Sequence, residues 1–125
     1  MNVQEILNNL KINELNEMQR QALTLFKQGG DMILLSPTGS GKTLAYLLPL
    51  VSALNPEVKG VQAVVLAPSR ELALQIEQVF KAMGTGFGVM SCYGGRPAME
   101  EHRTMKALNP VSYTHLRAHE TAANL

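Results

Sequence analysis

Residues 31–43 read DMILLSPTGSGKT: a short apolar strand, a glycine-rich turn and the start of an apolar helix. Gly39 and Gly41 let the backbone turn tightly and aim consecutive N–H groups at one point. A helix beginning near Gly41 adds the positive end of its dipole, so an anion is favoured there. Lys42 can set a compact ammonium against terminal phosphates, and Thr43 offers a hydroxyl to the Mg²⁺ that bridges them. Against the pattern G-x-x-x-x-G-K-[ST], Ser36 stands in place of the first glycine and the other fixed positions agree. The candidate nucleotide-binding residues are therefore Ser36, Pro37, Thr38, Gly39, Ser40, Gly41, Lys42 and Thr43, with Lys42 and Thr43 as the catalytic candidates. A polar turn capping an ordinary helix accounts for the glycines but leaves the lysine and threonine unexplained.

Working outward, Val3, Ile6, Leu7 and Leu10 share one face of a short N-terminal helix. Asn16 is a good N-cap, and Gln19 three residues on completes a capping box for a second helix. That helix carries Met18, Ala22, Leu25 and Phe26 on one face and stops at Gly29-Gly30, before the strand at 32–35. After the glycine-rich turn, a helix reaching about Leu54 is apolar nearly all round, and Pro49 should kink it rather than end it. Residues 62–67 form a second strand, with AVVL as a run that a parallel sheet buries on both faces. Ser69 caps the next helix, residues 89–93 form a third strand, and Arg96-Pro97 opens a last helix to about Leu108. The order αα-βα-βα-βα argues for a doubly wound α/β parallel sheet with three strands, whose ligands gather at the carboxyl ends of the strands.

Composition bounds the function. The 125 residues allow one domain at most, and 46% hydrophobic residues can supply its core. Cys92 is the single cysteine and sits in an apolar strand, which reads as a small buried hydrophobe rather than a nucleophile or ligand. A net charge of +1 announces no nucleic-acid partner in bulk, so that partner must be argued from local geometry. No apolar run reaches the ~20 residues that span a bilayer and no secretion-type leader opens the chain, so the default expectation is a cytoplasmic protein without a membrane partner.

Three turns leave the carboxyl ends of the expected strands. Besides the glycine-rich loop, Pro68-Ser69-Arg70-Glu71 offers a hydroxyl-capped helix start beside an arginine, and Gly94-Gly95 offers bare backbone to a bulky polymer. Both suit a sugar-phosphate chain. Taken singly, each also reads as an ordinary cap or a tight turn.

These residues together resemble the first half of the first RecA-like domain of a DEAD-box RNA helicase, over about residues 3–110. Ser36 to Thr43 is similar to that family's motif I, A-x-T-G-x-G-K-T, with serine for alanine. Pro68-Ser69-Arg70-Glu71-Leu72-Ala73 is similar to motif Ia, P-T-R-E-L-A. The resemblance implies a truncated P-loop NTPase of RecA-like fold that binds ATP and Mg²⁺. It also implies sequence-independent RNA backbone contacts through Pro68, Ser69, Arg70, Glu71, Gly94 and Gly95. Gln19 falls where the Q motif has its adenine-reading glutamine, and a side-chain amide can pair with the N6 donor and N7 acceptor of adenine. The segment before it departs from the usual Gly-Phe-x-x-Pro-Thr-Pro-Ile-Gln, reading Lys11-Ile12-Asn13-Glu14-Leu15-Asn16-Glu17-Met18-Gln19, and a capping role for Gln19 stays open.

The far end differs in kind. Residues 111–121, VSYTHLRAHET, lack the apolar strand and turn of a fourth crossover unit and resemble one reading frame of a transposase-type sequencing-library adapter. Residues 1–110 are thus expected to be a partial helicase ATP-binding domain, and 111–125 a non-native tail, loosely packed. On this reading His115 and His119 are not ligands, and His102 is a solvated residue of a charged stretch. Neither D-E-A-D nor T-P-G-R nor S-A-T occurs in the 125 residues, so the chain alone is expected to be an inactive piece that lacks a second RecA-like domain. Two other classes remain: another P-loop ATPase or DNA helicase of the same superfamily, and a non-enzymatic nucleotide-binding fragment.

Overall fold

The computed structural model describes residues 2–92 and 113–118. In chain order the elements are α1 (Val3–Asn9), α2 (Glu17–Lys27), α3 (Lys42–Ala53), β1 (Val61–Ala67), α4 (Arg70–Ala82), β2 (Gly88–Cys92) and β3 (Tyr113–Ala118). They fall into two compact units, residues 1–53 with 82–85, and residues 54–81 with 86–125.

In the first unit, the Asn2 side chain caps α1 by accepting from the Gln4 N–H at 2.9 Å, and Ile6 and Leu7 are buried. The helix stops where Lys11 turns to φ +58°, with the Lys11 N–H donating to the Asn8 carbonyl at 3.1 Å and the Ile12 N–H to the Leu7 carbonyl at 2.9 Å, a Schellman ending. The capping box expected at α2 is present in both directions. α2 packs against α3, which buries Leu44, Ala45, Leu47, Leu48 and Val51 and runs through Pro49 without ending. The apolar stripe of α2 is only partly covered: Ala22 is buried, whereas Leu25 and Phe26 remain exposed.

The expected strand at 32–35 does not form, and Ile33 and Leu35 are 87% and 88% exposed. A strand is stabilised by a ladder partner, and among the described residues none pairs with this segment.

The second unit is built by a strand, a helix and a strand, β1, α4 and β2. Ser69 caps α4, its hydroxyl accepting from the Leu72 N–H at 3.2 Å, and α4 buries Ala73, Ile76 and Phe80. On β2, Val89, Met90, Ser91 and Cys92 are buried, as expected for the cysteine, and the Ser91 hydroxyl donates to the Glu77 carboxylate at 2.7 Å. β1 departs from the two-sided burial expected of it: Val64 and Leu66 are exposed while Ala67 is buried. One face of this strand is therefore uncovered. The helix expected at 96–108, with His102, lies outside the described residues, as do Gly94, Gly95 and His119.

The sheet has three parallel strands in the order β1-β3-β2, so the count is as expected but the membership is not. Residues 113–118, expected to be loosely packed tail, form the central strand, with Val65 opposite Leu116 on one side and Ser91 opposite Leu116 on the other. Ladder bonds use main-chain groups that every non-proline residue carries, and Tyr and Thr favour strands, so YTHLRA can pair although its composition does not follow the apolar rule for buried parallel strands.

Amide exchange on the 125-residue chain should be fast at Ile33, Leu34 and Leu35 and slow at Leu47, Leu48 and Val51 of α3. Comparable protection at both places would show that residues 32–35 are paired.

Candidate phosphate-binding site

The glycine-rich loop lies wholly in the first unit. Gly39 at φ +82° and Gly41 at φ +87° occupy the left-handed region, which an L-residue enters at a cost and glycine does not. Ser40, between them, is tied inward. Its N–H and hydroxyl both donate to the Pro37 carbonyl, at 3.3 and 2.5 Å, and its hydroxyl also pairs with that of Ser36. α3 starts at Lys42, and the Gly41 carbonyl accepts its first helical bond from the Ala45 N–H at 3.2 Å. The open N-terminus of that helix therefore faces the loop, as anion binding needs.

Two side chains from the start of α2 hold the loop from outside. Asn16 Nδ2 donates to the Ser40 carbonyl at 2.9 Å, and Gln19 Nε2 donates to the Gly41 carbonyl at 3.2 Å. The same two residues form the capping box: Gln19 Oε1 accepts from the Asn16 N–H and Asn16 Oδ1 from the Gln19 N–H, both at 2.9 Å. Gln19 is thus a cap and a loop contact at once, and it is buried at 6% exposure. A Cβ on Gly41 would lie 2.5 Å from Gln19 Nε2 and 3.4 Å from Asn16 Nδ2, so this glycine gives room as well as torsional freedom; at Gly39 a Cβ would meet nothing within 4 Å.

Lys42 and Thr43 are half-buried in the first turn of α3, and Lys42 makes no ion pair among the described residues. The Thr43 side chain neighbours the Tyr46 phenol, one helical turn on. Burial pushes that phenol above its ordinary value, and the Thr43 hydroxyl beside it works in the opposite direction. Tyr46, and the second role of Asn16, escaped the sequence reading: helical spacing places Tyr46 one turn beyond Thr43, but nothing local shows that Asn16 reaches residue 40.

The donor set fits a phosphate and its cation. Two glycine turns, a helix N-terminus, an ammonium and a hydroxyl meet in one loop. An open groove of about 350 Å³ beside it, lined by Met18, Leu25, Ile33 and Leu35 among others, takes in Ser36 and Pro37 but none of residues 38–43. No group of three or more His, Cys, Asp or Glu able to hold a metal occurs among the described residues.

The other expected contacts lie in the second unit. Pro68, Arg70 and Glu71 are exposed at the start of α4, and Ser69 is half-buried as its cap. No described helix is long and apolar enough to cross a membrane.

A family profile described as DEAD/DEAH box helicase matches residues 16–124. The DEAD-box ATP-dependent RNA helicase CshC of Bacillus cereus is 50% identical over 95 residues, 74% of this chain and 24% of that protein. The probable ATP-dependent RNA helicase YfmL of Bacillus subtilis is 45% identical over 91 residues, 71% of this chain and 24% of that protein. Among solved structures, the DEAD-box helicase Mss116 bound to ssRNA and UDP-BeF superposes with a TM-score of 0.76 at 25% identity, over 93% of this chain and 25% of that one. The chain therefore spans about a quarter of the length of these relatives.

Gly41→Ala should cost about 1–2 kcal/mol for the left-handed backbone alone and displace the Gln19 amide. The check is a urea titration together with the Gln19 side-chain NH₂ resonances. An unmoved Gln19 resonance would contradict the close approach.

Proposed function

The chain belongs to the DEAD/DEAH box helicase family, and from that premise we propose that it is the ATP-binding and RNA-binding portion of an ATP-dependent RNA helicase. The observation that carries the reading is the attachment of the α2 N-terminus to the loop carbonyls, which puts the amide of Gln19 within 3.2 Å of the backbone of Gly41. In this proposal Ser36, Pro37, Thr38, Gly39, Ser40 and Gly41 would cradle the phosphates of ATP, Lys42 would supply the fixed counter-charge, and the Thr43 hydroxyl would hold Mg²⁺. When bound, that cation would supply charge neutralisation at the terminal phosphates. Gln19 reads adenine with what its present bonds leave over, one acceptor lone pair on Oε1 and one N–H on Nε2, so cap and loop contact persist while the base is recognised.

RNA lies along Pro68, Ser69, Arg70, Glu71 and Gly94-Gly95 through its sugar-phosphate backbone, hence without regard to sequence and with salt-dependent affinity. A second RecA-like domain completes the cleft, and the site of action is the cytoplasm. Hydrolysis by the 125 residues alone is not expected, since the acidic motif that would hold Mg²⁺ from a second strand is not among them.

Residues 111–125 we take as a tail foreign to the protein, of which residues 113–118 hold the central strand position by main-chain pairing. Sequencing genomic DNA across the codon of Pro110 tests this directly. Continuous coding sequence for VSYTHLRAHET would overturn it.

In the full-length helicase, Lys42→Ala should lower ATP turnover on the order of 10²–10³-fold, with RNA affinity in the absence of nucleotide kept. Turnover within a few-fold of wild type would refute the loop's role. Gln19→Ala should narrow the preference for ATP over GTP, because guanine presents O6 where adenine presents a donor. An unchanged ratio would leave Gln19 as a cap only.

A further inference from the structure

Ser36 is the one fixed position at which the loop departs from the pattern A-x-T-G-x-G-K-T: a hydroxyl stands where that pattern has a bare methyl group. In the structure this hydroxyl is used. It pairs with the hydroxyl of Ser40, whose own proton goes to the Pro37 carbonyl at 2.5 Å. A serine hydroxyl has one proton to give, so with that of Ser40 committed to Pro37, Ser36 is the donor of the pair. The bonds run in a chain from Ser36 to Ser40 to Pro37, and each polarises the next.

That chain shuts the loop on itself. The Ser40 N–H donates to the same Pro37 carbonyl at 3.3 Å, which makes residues 37–40 a turn, and Gly39 at φ +82° supplies the positive φ that the third position of a type II turn takes. Both donors of Ser40 thus converge on one acceptor. Its N–H is engaged inside the turn, so a phosphate that is to take this donor has to draw it off Pro37. With alanine at position 36 the turn would keep its backbone bond and the Ser40 to Pro37 contact; serine adds a third bond, which holds the Ser40 side chain from the start of the loop.

We propose that the Ser36 hydroxyl is a latch that stabilises the closed, empty form of the phosphate loop and so weakens its affinity for nucleotide. Its backbone stays part of the cradle, while its side chain opposes the opening. Where the closed form dominates, the apparent Kd is raised by the inverse of the open fraction, and one neutral hydrogen bond changes that fraction about fivefold. The sign is the distinctive feature: loss of this side chain improves binding. This rests on the nucleotide-binding reading given above, and the two are separable by experiment.

The test uses the 125-residue chain with Ser36→Ala, which removes the hydroxyl, and Ser36→Thr, which keeps one. Titrated with Mg²⁺ and a fluorescent ADP analogue, Ser36→Ala should bind about fivefold more tightly than the wild type, and Ser36→Thr should bind as the wild type does. In a Ser40→Ala background, where the partner is already gone, Ser36→Ala should add nothing. Without nucleotide, the Ser40 N–H should exchange with water faster in Ser36→Ala than in the wild type, at a similar urea midpoint. Unchanged affinity in Ser36→Ala would overturn the proposal, and so would weaker binding, which would make the hydroxyl a phosphate ligand. Absence of analogue binding by the wild-type chain would count against the nucleotide reading, and the Ser40 exchange rate would then decide the latch by itself, equal rates overturning it.

Discussion

The Ser40–Gly41 peptide is the pivot of the first unit. Ser40 lies between two glycines in the left-handed region, the peptide's own carbonyl is taken by Asn16 and the next one by Gln19, and α3 begins immediately after Gly41. A loop of glycines is permissive by nature, and permissiveness is the opposite of what a binding site needs. The resolution here is to fix the loop from a neighbouring helix through the carbonyls of Ser40 and Gly41. The capping box of α2 therefore has a second product besides a stable helix start: it sets both amide side chains at the angle from which they meet the loop.

Much of this could be read from residue order. The N-caps at Asn16 and Ser69, the helix carried through Pro49, and the strands around 62–67 and 89–93 all follow from local chemistry and period, and the structure has them within a residue. The Asn16 to Ser40 bond could not be read, because it joins residues 24 apart whose approach depends on how α2 packs against α3. Residues 32–35 failed as a strand for a related reason: MILL has the apolar run, but strand formation is a property of a pair, and a single segment carries no information about whether its partner is there.

The sheet shows the converse. YTHLRA carries no buried-strand signature, yet β3 lies between β1 and β2, since two parallel strands with a vacancy between them offer a ladder to any main chain that reaches it. Val64 and Leu66 of β1 stay exposed beside it. Local pattern and global position disagree here, whereas around the phosphate loop they agree at every level, from φ angles to caps to charge. That contrast separates the loop, where local choices agree with their place, from the sheet, where they do not.

The most direct measurement is a titration of the ¹⁵N-labelled 125-residue chain with Mg²⁺ and ADP, set beside adenosine alone. The account predicts ADP-dependent shifts at the amides of Gly39, Gly41, Lys42 and Thr43 and at the side-chain NH₂ of Gln19, with the loop amides unmoved by adenosine. Loop amides that respond equally to both compounds, or to neither, would contradict the claim that this loop is built for phosphate.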